Sequence, residues 1–175
     1  KIKNIKWQDD ENGFIKLYEL PKKGYPYVLG GDTSGEGSDN FTGQVLNNVT
    51  GNQVAVLKHQ FDEDIYARQM YCLGMYYNKA LIGVETNFST YPQKELERLK
   101  YPNFYVRMKE DTYTNKTEKA FGFNTNRKTR PIIIAELVHV VRDMIESIND
   151  IETLEEMLTF VKNEEGKAEA QQRMS

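Results

Sequence analysis

The stretch ALIGVE, Ala80 to Glu85, constrains the fold more than any other part of the chain. It is short, nearly continuous in apolar residues and closed by a carboxylate, as expected of a strand covered on both faces of a sheet. The residues before it keep a different period. From Asp62 to Asn78, Tyr66, Met70, Leu73 and Tyr77 recur at i, i+4, i+7 and i+11, with acidic residues in the first turn where they suit the helix dipole. An amphipathic helix leading into a buried strand is one unit of an α/β fold.

The flanking sequence extends that unit. Tyr27 to Gly30, Phe41 to Asn47 and Val54 to Gln60 read as strands, and NNVTGNQ between the second and third is a turn signal, so the three form an antiparallel meander. Downstream, Thr90 and Gln93 have the spacing of a capping box that opens a short helix to about Lys100, and Asn103 to Met108 reads as a further strand. Pro131 suits the first turn of another helix, with Ile134, Leu137, Val138, Val141, Ile145 and Ile148 on one stripe. The remainder is a short helical segment followed by polar sequence. The expected architecture is an α/β, ribonuclease H-like mixed sheet, a three-strand antiparallel meander plus parallel strands, flanked by helices. It occupies residues 27–175 after a lead-in of residues 1–26.

Composition narrows the class. A chain of 175 residues is a single-domain length. No apolar run approaches a membrane span, and the first residues lack a signal-peptide core. Cys72 is the one cysteine, so no internal disulfide forms, and a reducing, cytoplasmic setting is expected. The net charge of −3 conceals a division along the chain. Thr112 to Arg130 holds five basic residues (Lys116, Lys119, Arg127, Lys128, Arg130) against Glu118, whereas Asp143 to Ala170 holds nine acidic residues against Lys162 and Lys167.

Asp32 follows the first meander strand and Glu85 ends the buried one. Ligands collect at the carboxyl ends of strands in α/β sheets. Taken singly, an aspartate there caps a turn and a glutamate faces solvent. Brought together on neighbouring strands, two carboxylates repel, and a divalent cation is the natural partner. Two such ions about 4 Å apart stabilise both the attacking and the leaving oxygen of a phosphodiester displacement. The glycines of GGDTSGEGSDN suggest a phosphate loop, but no lysine follows them and the segment leads into a strand, so a tight hairpin explains them better. Asp39 in that loop is a secondary candidate for the same metal. KTEKAFGFNTNRKTRP suits contacts to phosphates without base reading. His59 and His139 lack ligand partners at a useful spacing, and Cys72 reads as a buried thiol.

Taken in order, GGDTSGEGSDNFTGQV, IGVETNFSTYPQKEL, FGFNTNRKTRPIIIAELVHVVRD and ETLEEMLTFVKNEEGKAEAQ resemble the nuclease domain of bacteriophage terminase large subunits, over nearly the whole chain from about Gly13. The resemblance implies an endonuclease that cuts concatemeric viral DNA during packaging, with Mg²⁺ or Mn²⁺ as cofactor and two metals in the complete domain. It makes Asp32 and Glu85 catalytic metal ligands, adds Asp39 as an acidic position of less settled role, and puts Lys116, Lys119, Arg127, Lys128 and Arg130 near the DNA path. It further implies double-stranded DNA as substrate and an N-terminal ATPase domain, a portal and a terminase small subunit as partners, no membrane association, and the cytoplasm of a bacterial host as location. The family continues after AEAQ into a His-Asp-Asp segment carrying the last metal-binding aspartate, whereas this sequence reads QQRMS; Glu164, Glu165 and Glu169 fall before that position. The expectation is therefore an incomplete metal site with weak or absent cleavage by this chain alone. Two other readings stand beside it: a degenerate domain that binds DNA or a partner without catalysis, and an actin-like or sugar-kinase-type phosphate-binding domain.

Overall fold

The structure is a computed structural model of the 175-residue chain, and it describes residues 2–33, 40–110, 117–162 and 168–170. The chain divides into two compact units, Lys1–Thr125 and Asn126–Ser175. The first holds strands β1 (Ile15–Leu17), β2 (Tyr27–Asp32), β3 (Phe41–Asn47) and β4 (Gln53–His59), helix α1 (Glu63–Tyr76), β5 (Leu81–Val84), helix α2 (Tyr91–Arg98), β6 (Val106–Glu110) and β7 (Thr117–Phe121). The second holds α3 (Thr129–Asp143), a 3-10 turn at Ile145–Ser147, α4 (Ile151–Leu158), β8 (Phe160–Lys162) and β9 (Ala168–Ala170).

A five-stranded mixed sheet in the order β1-β4-β3-β2-β5 forms the first unit's frame. The expected meander is present: β2 pairs antiparallel with β3, and β3 with β4. β5 joins the far side of β2 in parallel. Such a crossover is long enough to need a connecting helix, and α1 supplies it. Tyr66, Met70, Leu73 and Tyr77, the residues of the helical spacing, are fully buried with Leu29, Val45 and Leu57 of the sheet. The buried tyrosines keep their hydroxyls satisfied, as a polar group in a core requires. Tyr66 Oη donates to the Thr42 carbonyl at 2.7 Å, Tyr77 Oη to Glu19 at 2.7 Å and Tyr101 Oη to Ala80 at 2.6 Å.

Several details differ from the expectation. The lead-in contributes β1, which pairs antiparallel with β4, and its Ile2, Ile5, Phe14 and Ile15 pack on the core. β5 buries Ile82 and Val84 but leaves Leu81 and Gly83 half-buried, so it is covered less completely than its composition suggests. Phe104 makes a single parallel bridge to Ile82, and the strand expected at 103–108 instead continues as β6, paired with β7 in a separate hairpin. The capping box is not formed: Thr90 has helical backbone angles and makes no side-chain cap, while Gln93 Oε1 is buried without a hydrogen bond among the described residues. In the second unit α3 ends at Asp143, so Ile145 and Ile148 of the expected stripe lie beyond the helix. The Asp150 side chain caps α4 by accepting from the Thr153 N–H at 2.8 Å.

Candidate metal centre

The parallel pairing of β2 with β5 runs in the register Val28 to Leu81 through Gly31 to Val84, so the two strands stop side by side. Asp32 is the last residue of β2 and Glu85 the first after β5. The Glu85 N–H donates to the Gly31 carbonyl at 2.8 Å, which carries the pairing one residue further and holds Glu85 level with Asp32. The expected convergence of these two carboxylates is what the sheet produces.

The Asp32 and Glu85 carboxyl groups lie in hydrogen-bond contact, an arrangement that favours the protonated form of Asp32. Burial, the hydrogen bond to Glu85 and the Glu85 charge push the Asp32 pKa from an ordinary 3.8 up to about 7, against the lowering effect of a hydrogen bond from the Thr33 backbone. Asp32 is itself solvent-exposed, and water on its open side limits the burial contribution. The same water screens the facing charge of Glu85, so the upward direction stands with a reduced size. Oxygen donors in mutual repulsion are the kind of ligand set that suits a hard divalent cation. Beside them Thr33 Oγ1 is buried with no hydrogen-bond partner among the described residues, a polar atom whose capacity is unspent. Among the described residues no cluster of three or more histidine, cysteine, aspartate or glutamate side chains is arranged to hold an ion, so Asp32 and Glu85 stand as a pair.

The strand ends are set from beneath by α1. A Cβ on Gly31 would collide with Tyr66 Oη and come within 2.6 Å of Met70 Cε, and one on its cross-strand partner Gly43 would lie 2.8 Å from Met70 Sδ. Gly31 is thus glycine because helix side chains occupy the space under it, a packing reason that a hairpin reading misses. Burial, with the charge of Asp32 adding to it, pushes the Tyr66 hydroxyl pKa upward, so Tyr66 stays a neutral donor to Thr42.

A second segment is fastened beside Glu85. Phe123 bridges Glu85 in parallel, its N–H donates to the Val84 carbonyl at 2.9 Å, and its carbonyl accepts from Thr86 N at 2.9 Å and Thr86 Oγ1 at 3.1 Å. Gly122 makes this approach possible with φ +77°, where a Cβ would sit 2.7 Å from the Val84 carbonyl. Asn87 completes the fastening: its Nδ2 donates to the Thr125 carbonyl at 2.6 Å, and its Oδ1 accepts from Thr125 N at 3.0 Å and Asn124 Nδ2 at 2.8 Å. Sequence reasoning does not single out Tyr66, Thr86 or Asn87 as site residues, although Thr86 and Asn87 lie within IGVETNFSTYPQKEL.

The other candidates distribute as follows. Asp39 and Lys116 lie outside the described residues, as do Glu164 and Glu165. Lys119 is exposed on β7 in the first unit, and Arg127, Lys128 and Arg130 are exposed at the start of α3 in the second. His59 packs among Phe14 and Phe61 at 5.4 and 5.0 Å between ring centroids, in keeping with a structural role. His139 pairs on the surface with Asp143 at 2.7 Å. Cys72 is half-buried, and burial raises its thiol pKa. No described helix is long and apolar enough to cross a membrane.

No protein-family model matches the sequence, and no curated protein matches it. Solved structures do match the fold. The large terminase nuclease from thermophilic phage G20c superposes with a TM-score of 0.69 at 16% identity, covering 94% of this chain and 83% of that one. The same nuclease with bound magnesium gives 0.70 at 15% identity over 94% of this chain and 82% of that one. The large terminase nuclease domain of Thermus phage P74-26 gives 0.65 at 15% identity over 91% and 76%. The fold of this chain is that of the phage large terminase nucleases, a ribonuclease H-like α/β fold.

Proposed function

We propose that this chain is the nuclease domain of a phage-type terminase large subunit and that it hydrolyses DNA phosphodiester bonds with Mg²⁺ or Mn²⁺ held by Asp32 and Glu85. The observation that carries this reading is the carboxyl pair itself, in hydrogen-bond contact at the ends of adjacent parallel strands. When bound, a divalent ion supplies charge stabilisation at the oxygens of the reacting phosphate. The chain's own residues give the rest. β2 and β5 fix the carboxylates level with each other, Tyr66 holds the β3 backbone opposite Asp32 through Thr42, and Asn87 keeps residues 122–125 beside Glu85. Asp39 is the further acidic candidate for the ion. Lys116, Lys119, Arg127, Lys128 and Arg130 are assigned to the phosphates of double-stranded DNA. The nuclease setting brings with it an ATPase domain, a portal, a small subunit and the cytoplasm of a bacterial host.

Relaxation of supercoiled plasmid in Mn²⁺ tests the proposal. With two carboxylates in place among the described residues, wild-type protein nicks the plasmid weakly, and Asp32→Asn and Glu85→Gln each remove that residual activity. Full cutting by Asp32→Asn refutes the assignment, and wild-type protein that binds plasmid without cutting it supports the binding-module reading instead.

A further inference from the structure

The sheet has a second exposed feature on the edge opposite β5. β1 is the terminal strand there, and among the described strands it pairs with β4 alone. Lys58 N–H donates to the Phe14 carbonyl and Tyr18 N–H to the Val54 carbonyl, with Lys16 opposite Val56, so Phe14, Lys16 and Tyr18 turn their backbone groups toward β4. Antiparallel alternation then turns the N–H and C=O groups of Ile15 and Leu17 outward. An edge of this kind is a template for another strand.

Beside it lies a groove of about 670 Å³ between the lead-in and α1. Trp7, Leu20 and Tyr76 give it apolar walls, and the exposed Asp9, Asp10 and Glu11 line its rim. The Trp7 ring rests 4.7 Å from that of Tyr76, yet Trp7 remains 40% exposed and Leu20 68% exposed. Among the described residues Lys6 is the one basic side chain lining the groove, so the site carries net negative charge. That sign repels nucleic acid. It also opposes a second copy of this chain, since pairing two β1 edges brings two acidic rims together.

We infer that this edge docks an extended, lysine- or arginine-bearing segment of a partner protein, which adds to β1 as a strand. Its backbone takes up the outward groups of Ile15 and Leu17, its alternate apolar side chains enter the groove, and cations flanking the paired stretch face Asp9, Asp10 and Glu11 at the rim. Backbone pairing supplies affinity and the groove and rim supply selectivity, the usual division in strand addition. The inference is independent of the carboxyl pair and stands whether or not the chain cuts DNA.

Trp7 is the chain's one tryptophan, so its emission reports on this groove. The probe is a short acetylated peptide alternating valine with serine and flanked by lysines, titrated into the full chain. A saturable blue shift is expected. Exchanging lysine for glutamate in the peptide, or combining Asp9→Asn, Asp10→Asn and Glu11→Gln in the protein, weakens binding about tenfold, the combined effect of three rim charges. N-methylation of alternate peptide amides abolishes the shift by blocking strand pairing. Unchanged melting of the triple variant confirms that its fold is intact. The inference is overturned if no saturable shift occurs, if the glutamate or N-methylated peptide binds as well as the parent, or if sedimentation shows the chain pairing with itself through this edge.

Discussion

Asp32→Asn should make the metal-free protein more stable at pH 8 and leave it unchanged at pH 4. The carboxyl of Asp32 has its pKa raised from 3.8 to about 7 in the folded chain. Between those values the folded state holds a proton that the unfolded state has released, so stability falls as pH rises through this window. Below pH 3.8 both states are protonated and no penalty exists. Above about 7 the folded protein carries Asp32 ionised against Glu85, and the penalty is complete. A shift of this size corresponds nominally to roughly 4 kcal/mol. Asp32 is open to solvent, and screening reduces the figure to on the order of 1–2 kcal/mol. Asparagine is neutral at every pH and its amide donates to Glu85, so the substitution removes the penalty and keeps the contact. For a chain of this length that amounts to a rise in Tm of about 2–8 °C. Thermal unfolding followed by circular dichroism in EDTA, at pH 4 and pH 8, reads it directly. Adding Mn²⁺ at pH 8 should then stabilise the wild type more than the variant, because the cation relieves the repulsion that asparagine has already removed. An equal difference between the two proteins at both pH values, or a variant less stable at pH 8, refutes the shared-proton account of the pair.

Other perturbations separate the layers beneath the site. Gly31→Ala forces a methyl group against Tyr66 Oη and Met70 Cε, and urea unfolding should register a loss of about 1–3 kcal/mol for such overpacking. Tyr66→Phe leaves the ring in place but strips the donor from the Thr42 carbonyl, costing about 1–2 kcal/mol in the same assay. Asn87→Ala frees residues 122–125 from their side-chain anchor, and amide exchange at Thr125 should accelerate while exchange in β3 does not. Neutralising Arg127, Lys128 and Arg130 together should weaken DNA binding regardless of sequence and lower the salt slope by about one for each phosphate no longer neutralised, measured by fluorescence anisotropy across salt concentrations.

How far the sequence discloses this molecule depends on which interactions are local. α1 is legible because a helix repeats its buried face, and Tyr66, Met70, Leu73 and Tyr77 are the residues the fold buries. The strands from Tyr27 to His59 are equally plain, since turn residues punctuate runs of apolar and β-branched side chains. β1 is not, because Ile15-Lys16-Leu17 is too short to show a period and owes its conformation to pairing with β4. β7 is hidden for a related reason: Thr117-Glu118-Lys119 is polar and exposed, and its extended form comes from pairing with β6. The capping box fails although its residues have the correct spacing, because Thr90 adopts helical angles and so cannot turn its side chain onto the helix N-terminus.

The candidate metal centre shows the same boundary at finer scale. Asp32 and Glu85 lie far apart in sequence, yet both are recognisable because each ends a strand, and only their adjacency depends on the sheet placing β5 beside β2. Tyr66 cannot be found that way. Its role follows from a glycine on another strand, since Gly31 leaves room for the tyrosine ring to reach Thr42. The same glycine therefore belongs to two descriptions, a flexible residue before a loop and a recess cut for a helix side chain. The second places a physical requirement on this position: any side chain at Gly31 must displace Tyr66 or Met70, and either movement shifts the strand end that presents Asp32 to Glu85.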